Sequence, residues 1–245
     1  MSPHISIKGE IVFDVLGFPV TNTVLTTILV VIGFFFIARY YYAQIHKKDR
    51  TLGFYALHGF VMMIQTLVSS VLGKRGNFFF PLLGSFFFFI LMMNWSGLVP
   101  GVGSLLVKVH EHTIPLLRGG TADLNTTLAL ALITVFVTQI FGFKFLGAKV
   151  HLSKYFNFKD PMMLFLGPLE IVQEFARIVS FSFRLYGNIF AGEVLLTIIP
   201  FLLPAALSFI VSPIFFLEVF VGVVQALVFV MLSAVFINMA TAEHH

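Results

Sequence analysis

What this chain can fold into is settled by a handful of long apolar runs: Thr21–Ala38, Phe78–Val99, Thr126–Leu146, the stretch from Pro161 to Thr197, and Ile214–Met239. About 20 consecutive apolar residues make a helix long enough to cross a hydrocarbon layer about 30 Å thick. A helix suits that setting because it satisfies its own backbone hydrogen bonds where no water is present to do so. Across the chain 58% of residues are hydrophobic and 11% are charged, whereas a soluble domain carries roughly 25% charged residues. A water-soluble fold is excluded. The expectation is an all-α integral membrane protein, with residues 1–245 forming one membrane domain of about five membrane helices plus a surface helix. There is no cysteine, so disulfides, thiolate metal sites and cysteine nucleophiles do not arise.

The connecting segments give the organisation. Residues 1–20 are a mixed polar start, expected as an outer N-terminal segment. The run after them ends at Arg39 without a small-residue cleavage site and reads as a retained helix rather than a signal peptide. Thr51–Leu72 is only moderately apolar, with His58, Gln65, Ser69 and Ser70 interspersed, and is expected to lie along the surface; residues 21–160 thus hold upright and surface helices. The phenylalanine clusters Phe78–Phe80 and Phe86–Phe89 read as lipid-facing or packing surface rather than a ligand box. Pro100–Asn125 is a polar connector broken by glycine and proline. Its His110, Glu111 and His112 supply too few ligands for a metal, and neither a metal nor another cofactor is expected.

Alternating the sides of successive spans places Arg39, Lys47, Lys48, Arg50, Lys74, Arg75, Lys144, Lys149, Lys154 and Lys159 on one face, and leaves Lys8, Lys108 and Arg118 on the other. The positive-inside rule then puts the N-terminus outside and the C-terminus in the cytoplasm, provided Thr51–Leu72 does not cross. The net charge of +4 is this loop asymmetry rather than a sign of nucleic-acid binding. No transit sequence is seen, and the expected location is a bacterial plasma (inner) membrane.

A helix from Pro161 to Thr197 would run roughly 50 Å, well beyond the thickness of the hydrocarbon, so it must tilt. Pro200, Pro204 and Pro213 are expected to break the chain before the last run. Residues 161–245 therefore read as a long, strongly tilted helical hairpin held by contact with another protein.

Ionisable groups lie inside that hairpin. Arg184 stands in the run from Ile178 to Phe201, IVSFSFRLYGNIFAGEVLLTIIPF. A guanidinium stays protonated, and at the centre of a membrane helix it costs ~2.5–3.5 kcal/mol on insertion scales. Snorkelling to a surface is disfavoured by apolar sequence on both sides, so Arg184 is expected to face protein, water or a counter-charge. Glu170, Glu174, Arg177 and Arg184 share roughly one helical face, and Ser180 and Asn188 flank Arg184 by one turn. Glu193 points almost the opposite way on an ideal helix. On the last run Glu218 and Gln225 share a face. Carboxylates in poorly solvated places can load and release protons, which makes Glu193 and Glu218 candidates for that work beside an arginine that cannot do it. Plainer readings stand alongside. Glu170, Glu174 and Arg177 can form an intrahelical ion-pair set near the cytoplasmic surface; Asn188 and Gln225 can be helix–helix glue; Glu193 or Glu218 can salt-bridge Arg184. Gly187 and Gly192 suit close helix approach or room for water.

Three strings in order, TADLNTTLALAL at Thr121–Leu132, RLYGNIFAGE at Arg184–Glu193 and QALVFVMLSAVFINMATAEHH at the C-terminus, resemble subunit a of the F-type ATP synthases. The resemblance covers the chain from about Phe78 onward. It implies an ion-conducting, non-catalytic stator subunit set against a rotating ring of c subunits, with two offset aqueous half-channels. Its implied partners are that ring, the b-subunit peripheral stalk, the remainder of the complex and membrane lipid. By position, Arg184 matches the arginine that faces the ring carboxylate and prevents a short circuit between half-channels. Asn188, Gly192 and Glu193 match the residues after it, Glu193 at the outer half-channel, and Gln225 matches the arginine's polar partner on the last helix. Glu218 stands where some members have histidine, a relay position. Glu170, Arg177 and Ser180 match polar positions near the inner half-channel, where Glu174 also falls. Asp123 and Asn125 match a recurrent pair expected to line the outer vestibule. No G-x-x-x-x-G-K-[ST] run is present, so ATP chemistry is expected in partner subunits.

The competing reading is a self-contained secondary transporter or channel. It predicts an internal repeat around a midplane site, and the Arg184 region has no second copy. A non-conducting scaffold leaves Glu193 and Glu218 unexplained.

Overall fold

A computed structural model describes residues 9–15, 17–47, 49–99, 102, 105–109, 112–153, 155, 161–202 and 211–241. The expectations that rest on Lys8, Lys48, His110, Glu111, Lys154, Lys159 and Pro204 lie outside these residues.

The described chain opens with a small antiparallel hairpin, β1 (Ile11–Val15) and β2 (Phe18–Thr21), which runs directly into α1 (Asn22–Ile45). Thr21 caps α1 by accepting the Val24 N–H. α2 (Leu52–Leu72) ends at Gly73, whose φ of 56° lets a short 3-10 turn redirect the chain into α3 (Gly76–Ser96). A second hairpin, β3 (Leu106–Val109) and β4 (His112–Pro115), occupies the connector. α4 (Leu124–Leu146) starts at Asp123, whose carboxylate accepts the Asn125 N–H at 3.0 Å as an N-cap. A short α5 (Ala148–Ser153) follows, then α6 (Pro161–Leu202) and α7 (Val211–Thr241). The two hairpins lie where sequence reading gave only polar linkers; strands of four or five residues are too short to show a clear alternation.

Five helical stretches are long and apolar enough to cross a membrane, with α2 and α3 together counting as one of 45 residues. The architecture is thus the all-α membrane protein that the apolar runs predict. α2 lays one stripe, Ile64, Val68 and Leu72, into the common core, and Phe60 packs its ring on Phe87 and Phe88 of α3.

α3, α4, α6 and α7 share the core. Leu83, Phe87 and Ile90 of α3 meet Leu130 and Ala131 of α4, Phe181 and Leu185 of α6, and Ala226, Phe229 and Val230 of α7. Lipid tails are as apolar as leucine, so close packing and interhelical hydrogen bonds hold such a bundle rather than flight from water. The bonds sit at both ends. At one, the Arg75 guanidinium donates to the Thr241 carbonyl at 2.7 Å and covers the Phe145 ring, capping the end of α7. At the other, Asn94 donates to the Gly222 carbonyl at 2.9 Å and accepts from Thr121 at 2.8 Å, while Trp95 donates to the Val219 carbonyl.

α6 is 42 residues long, which at 1.5 Å per residue is roughly 60 Å, twice the hydrocarbon thickness. It passes through both Pro168 and Pro200 and is described as far as Leu202, so the expected break at Pro200 is not formed. Only 17% of the most apolar part of α6 is buried, against 44% for α7. Val172, Phe175 and Phe183 stand exposed along it.

Candidate functional site

The way α6 packs decides which residues face outward. Phe181, Leu185 and Ile189 recur at the helical repeat and are buried against α7 and α4, so Phe183, Arg184 and Asn188 are turned away from the core and exposed. The Arg184 Nη2 donates to the Ser180 hydroxyl at 3.1 Å, one turn earlier. Among the described residues no carboxylate pairs with Arg184, so neither Glu193 nor Glu218 is its salt-bridge partner. Asn188 donates to the side-chain oxygen of Gln225 at 2.7 Å, tying α6 to α7 one turn from Arg184. Gln225 is buried and accepts from Asn188, and among the described residues no hydrogen bond joins it to Arg184.

Toward the Asn94–Gly222 end of the bundle, the loop before α4 carries a second arginine into the protein. Arg118 is 6% exposed. Its backbone N–H donates to Thr26 of α1, and its Nε and Nη2 grip the Glu193 carboxylate at 2.8, 3.2 and 3.1 Å. A bidentate grip of this kind matches the planar fork of arginine. The loop is itself pinned to α1. Thr23 donates to Asp123 at 2.9 Å, and Asn22 donates to the Pro115 carbonyl at 3.2 Å. Asp123 therefore does two jobs, capping α4 and anchoring the loop, while Asn125 is exposed beside it.

Glu218 is buried on α7 and lies over Gly192 of α6, where any Cβ would overlap its carboxylate. Gly192 thus creates the space for it. The Glu218 Oε1 has no hydrogen-bond partner among the described residues. Two carboxylates therefore sit on either side of one glycine. Glu193 has a fixed counter-charge, and Glu218 has none among the described residues. Leaving a buried polar atom unsatisfied costs about 1–3 kcal/mol, a cost usually found where the group has work to do.

The remaining predicted residues form a separate cluster. Arg177 pairs with Glu174 at 2.8 Å within α6 and lies 3.8 Å from the Phe236 ring centre of α7, which is the intrahelical pairing that the plainer reading foresaw. Glu170 is half-buried one turn before Glu174. Tyr155, in the turn before α6, donates to Gln139 at 3.3 Å, and buried His151 bonds the same oxygen at 2.7 Å. Burial pushes the Tyr155 phenol above its ordinary range, and the neighbouring Glu174 charge adds to the rise. The structure thus divides the predicted set into three places: Arg184 with Ser180, Asn188 and Gln225; Glu193 and Glu218 with Asp123; and Glu170, Glu174 and Arg177. Arg118 and Gln139 were missed. The one available signal for Arg118 was an arginine rather than a lysine just ahead of a glycine pair and a capping aspartate.

The fold and site together define a multi-pass helical membrane protein built around a long, poorly covered helix with an outward-facing arginine. Residues 21–238 match the family model of the ATP synthase A chain, and the chain belongs to that family. It is 32% identical to ATP synthase subunit a of Moorella thermoacetica over 92% of this chain and 93% of the relative. It is 35% identical to that of Syntrophobacter fumaroxidans over 74% of this chain and 69% of the relative. A sodium ion specific subunit a of Propionigenium modestum is 33% identical over 94% of this chain and 77% of the relative. The chain is accordingly a membrane subunit of an ATP synthase complex.

Proposed function

We propose that this chain conducts protons through two offset half-channels to and from the carboxylates of a c-ring, and so couples ion flow to ring rotation and ATP synthesis in a bacterial plasma membrane. Its N-terminus lies outside and its C-terminus in the cytoplasm, and a b-subunit stalk holds it against the rotating ring. The observation that carries this reading is Arg184: a permanent charge on the exposed side of α6, a long helix of whose most apolar part only 17% is buried, with only Ser180 as a described partner. A charge so placed calls for a carboxylate from another subunit.

The steps follow from electrostatics. A ring carboxylate without its proton is attracted to Arg184, while one that faces lipid must be neutral because a charge there is costly. A proton entering from outside reaches the Glu193–Glu218 pair of positions. Glu193 is held by Arg118, so Glu218, with its unpartnered oxygen, takes the proton and passes it to the ring. After one circuit the proton leaves past Glu170 and Glu174. Arg184 cannot relay it, which forces the path round the ring. Each charge gains about 2.3 kcal/mol per 100 mV, so several must be summed for one ATP. ATP chemistry itself belongs to other subunits.

The test is ion flux in vesicles carrying the assembled complex with Arg184→Ala. ATP-driven H⁺ pumping should vanish while passive H⁺ leak persists or rises; pumping at the normal rate overturns the reading. Because one relative is named sodium ion specific, Na⁺ uptake is measured in the same vesicles, and Na⁺-coupled pumping would replace H⁺ by Na⁺ in the scheme.

A further inference from the structure

Toward the C-terminal end of α4, three elements bring together polar side chains that the pumping scheme does not use. One oxygen of Gln139 on α4 takes two hydrogen bonds, from His151 of α5 at 2.7 Å and from Tyr155 in the following turn at 3.3 Å. The buried His151 ring packs on Phe143 at 4.5 Å and meets the Tyr155 ring edge-on at 5.9 Å. The Tyr155 carbonyl rests on Gly167 of α6, where any Cβ would overlap it. Glu170 and Glu174 follow Gly167 on the same helical face, so Tyr155 is anchored against the face of α6 that carries both carboxylates.

On the reading that protons leave past Glu170 and Glu174, on which this inference rests, we propose that Tyr155 is a further residue of the inner exit: its hydroxyl oxygen accepts a hydrogen bond from Glu174 while that carboxyl carries a departing proton.

The roles follow from which atoms are already engaged. Arg177 holds both oxygens of Glu174 at 2.8 and 3.0 Å, a grip that suits the ionised carboxylate. A protonated carboxyl has an O–H to place and needs an acceptor. The Tyr155 proton points to Gln139, so toward α6 its oxygen offers lone pairs. Burial, and then the Glu174 charge, push the Tyr155 phenol above its ordinary range, so it stays neutral at working pH. The titratable and charged groups around it among the described residues are His151 from α5 and Glu170, Glu174 and Arg177 from α6; α4 contributes Gln139, which does not titrate. The proton passes from a ring carboxylate to Glu174, which turns from Arg177 to Tyr155 while Arg177 stays on the Phe236 ring. Water on the cytoplasmic side then takes the proton, and the carboxylate returns to Arg177. Tyr155 keeps its own proton throughout. Gln139 and His151 are positioning residues that fix the direction of its hydroxyl.

The test is ATP-driven pumping by the assembled complex in inside-out vesicles, whose medium is the cytoplasmic side. The ratio of variant to unaltered rate is taken at each medium pH, so that the pH dependence of ATP hydrolysis cancels. Tyr155→Phe should pump about threefold slower at neutral pH, the scale of one neutral hydrogen bond. Its ratio should fall further as the medium is made alkaline and should not respond to the pH of the lumen. Gln139→Leu should act the same way in the unaltered chain and add nothing to Tyr155→Phe. If Gln139→Leu does not assemble, Tyr155→Phe alone decides. A ratio that is flat with medium pH, a ratio that follows lumenal pH, or losses that add in the double variant would each overturn the proposal. Arg184→Ala in the same vesicles separates the two claims. Normal pumping there brings down the whole exit scheme, whereas lost pumping there with a flat Tyr155→Phe ratio overturns this proposal alone.

Discussion

Arg118, in the loop before α4, and Arg184, on α6, have opposite surroundings. Arg118 is buried and satisfied: α1 holds its backbone, and both oxygens of Glu193 take its guanidinium. Arg184 is exposed and bonds only to Ser180 among the described residues. The same side chain is thus used once as a clamp inside the fold and once as a charge presented outward. The first tightens the structure. The second awaits a partner.

That contrast can be broken by mutation. The largest effect belongs to Arg184→Ala, which should abolish ATP-driven pumping while leaving the melting temperature of the complex nearly unchanged, since no described carboxylate loses its partner. A large drop in melting temperature would mean that Arg184 is a second clamp. Next is Glu218→Gln, which keeps the volume beside Gly192 but carries no exchangeable acid. Pumping should fall by about tenfold or more, as expected when a positioned proton-transfer group is removed. Unchanged pumping would move the relay to Glu193.

Arg118→Ala should reverse the pattern seen at Arg184. It strands the Glu193 carboxylate, and because Glu193 is 37% exposed the cost is about 2 kcal/mol, below that of a fully buried pair. The expected result is a lower melting temperature with reduced but measurable pumping. Tyr155→Phe is the smallest change. The folded-state pKa of Tyr155 is raised above 10.0, so its contribution is intact below pH 10 and declines above it. Removing the hydroxyl should therefore lessen alkaline sensitivity and leave thermal stability near neutral pH within about 1 kcal/mol.

Legibility in the sequence followed the range of the interactions. The membrane helices were readable because length and apolarity are local properties. Arg184 was readable because a charge in an apolar run is anomalous wherever the run packs. Arg118 was not: a basic residue in a polar connector looks solvated, and its partner Glu193 is 75 residues away. The same holds for Gln225, whose bond to Asn188 depends on how α6 is rotated against α7. Helical spacing placed Glu174, Arg177 and Arg184 on one face. Packing then turned Arg177 onto Phe236 of α7 and left Arg184 outward.

The absence of cysteine gives a clean background for the decisive measurement. Ala191 is exposed two turns from Arg184 on the same face of α6. With Ala191→Cys in the chain and one cysteine on the outer face of a ring subunit, oxidation of the assembled complex should form an intersubunit disulfide that stops ATP-driven pumping, and reduction should restore it. Failure of Ala191→Cys to cross-link to the ring, with efficient cross-linking from a cysteine on the opposite face of the protein, would contradict the account.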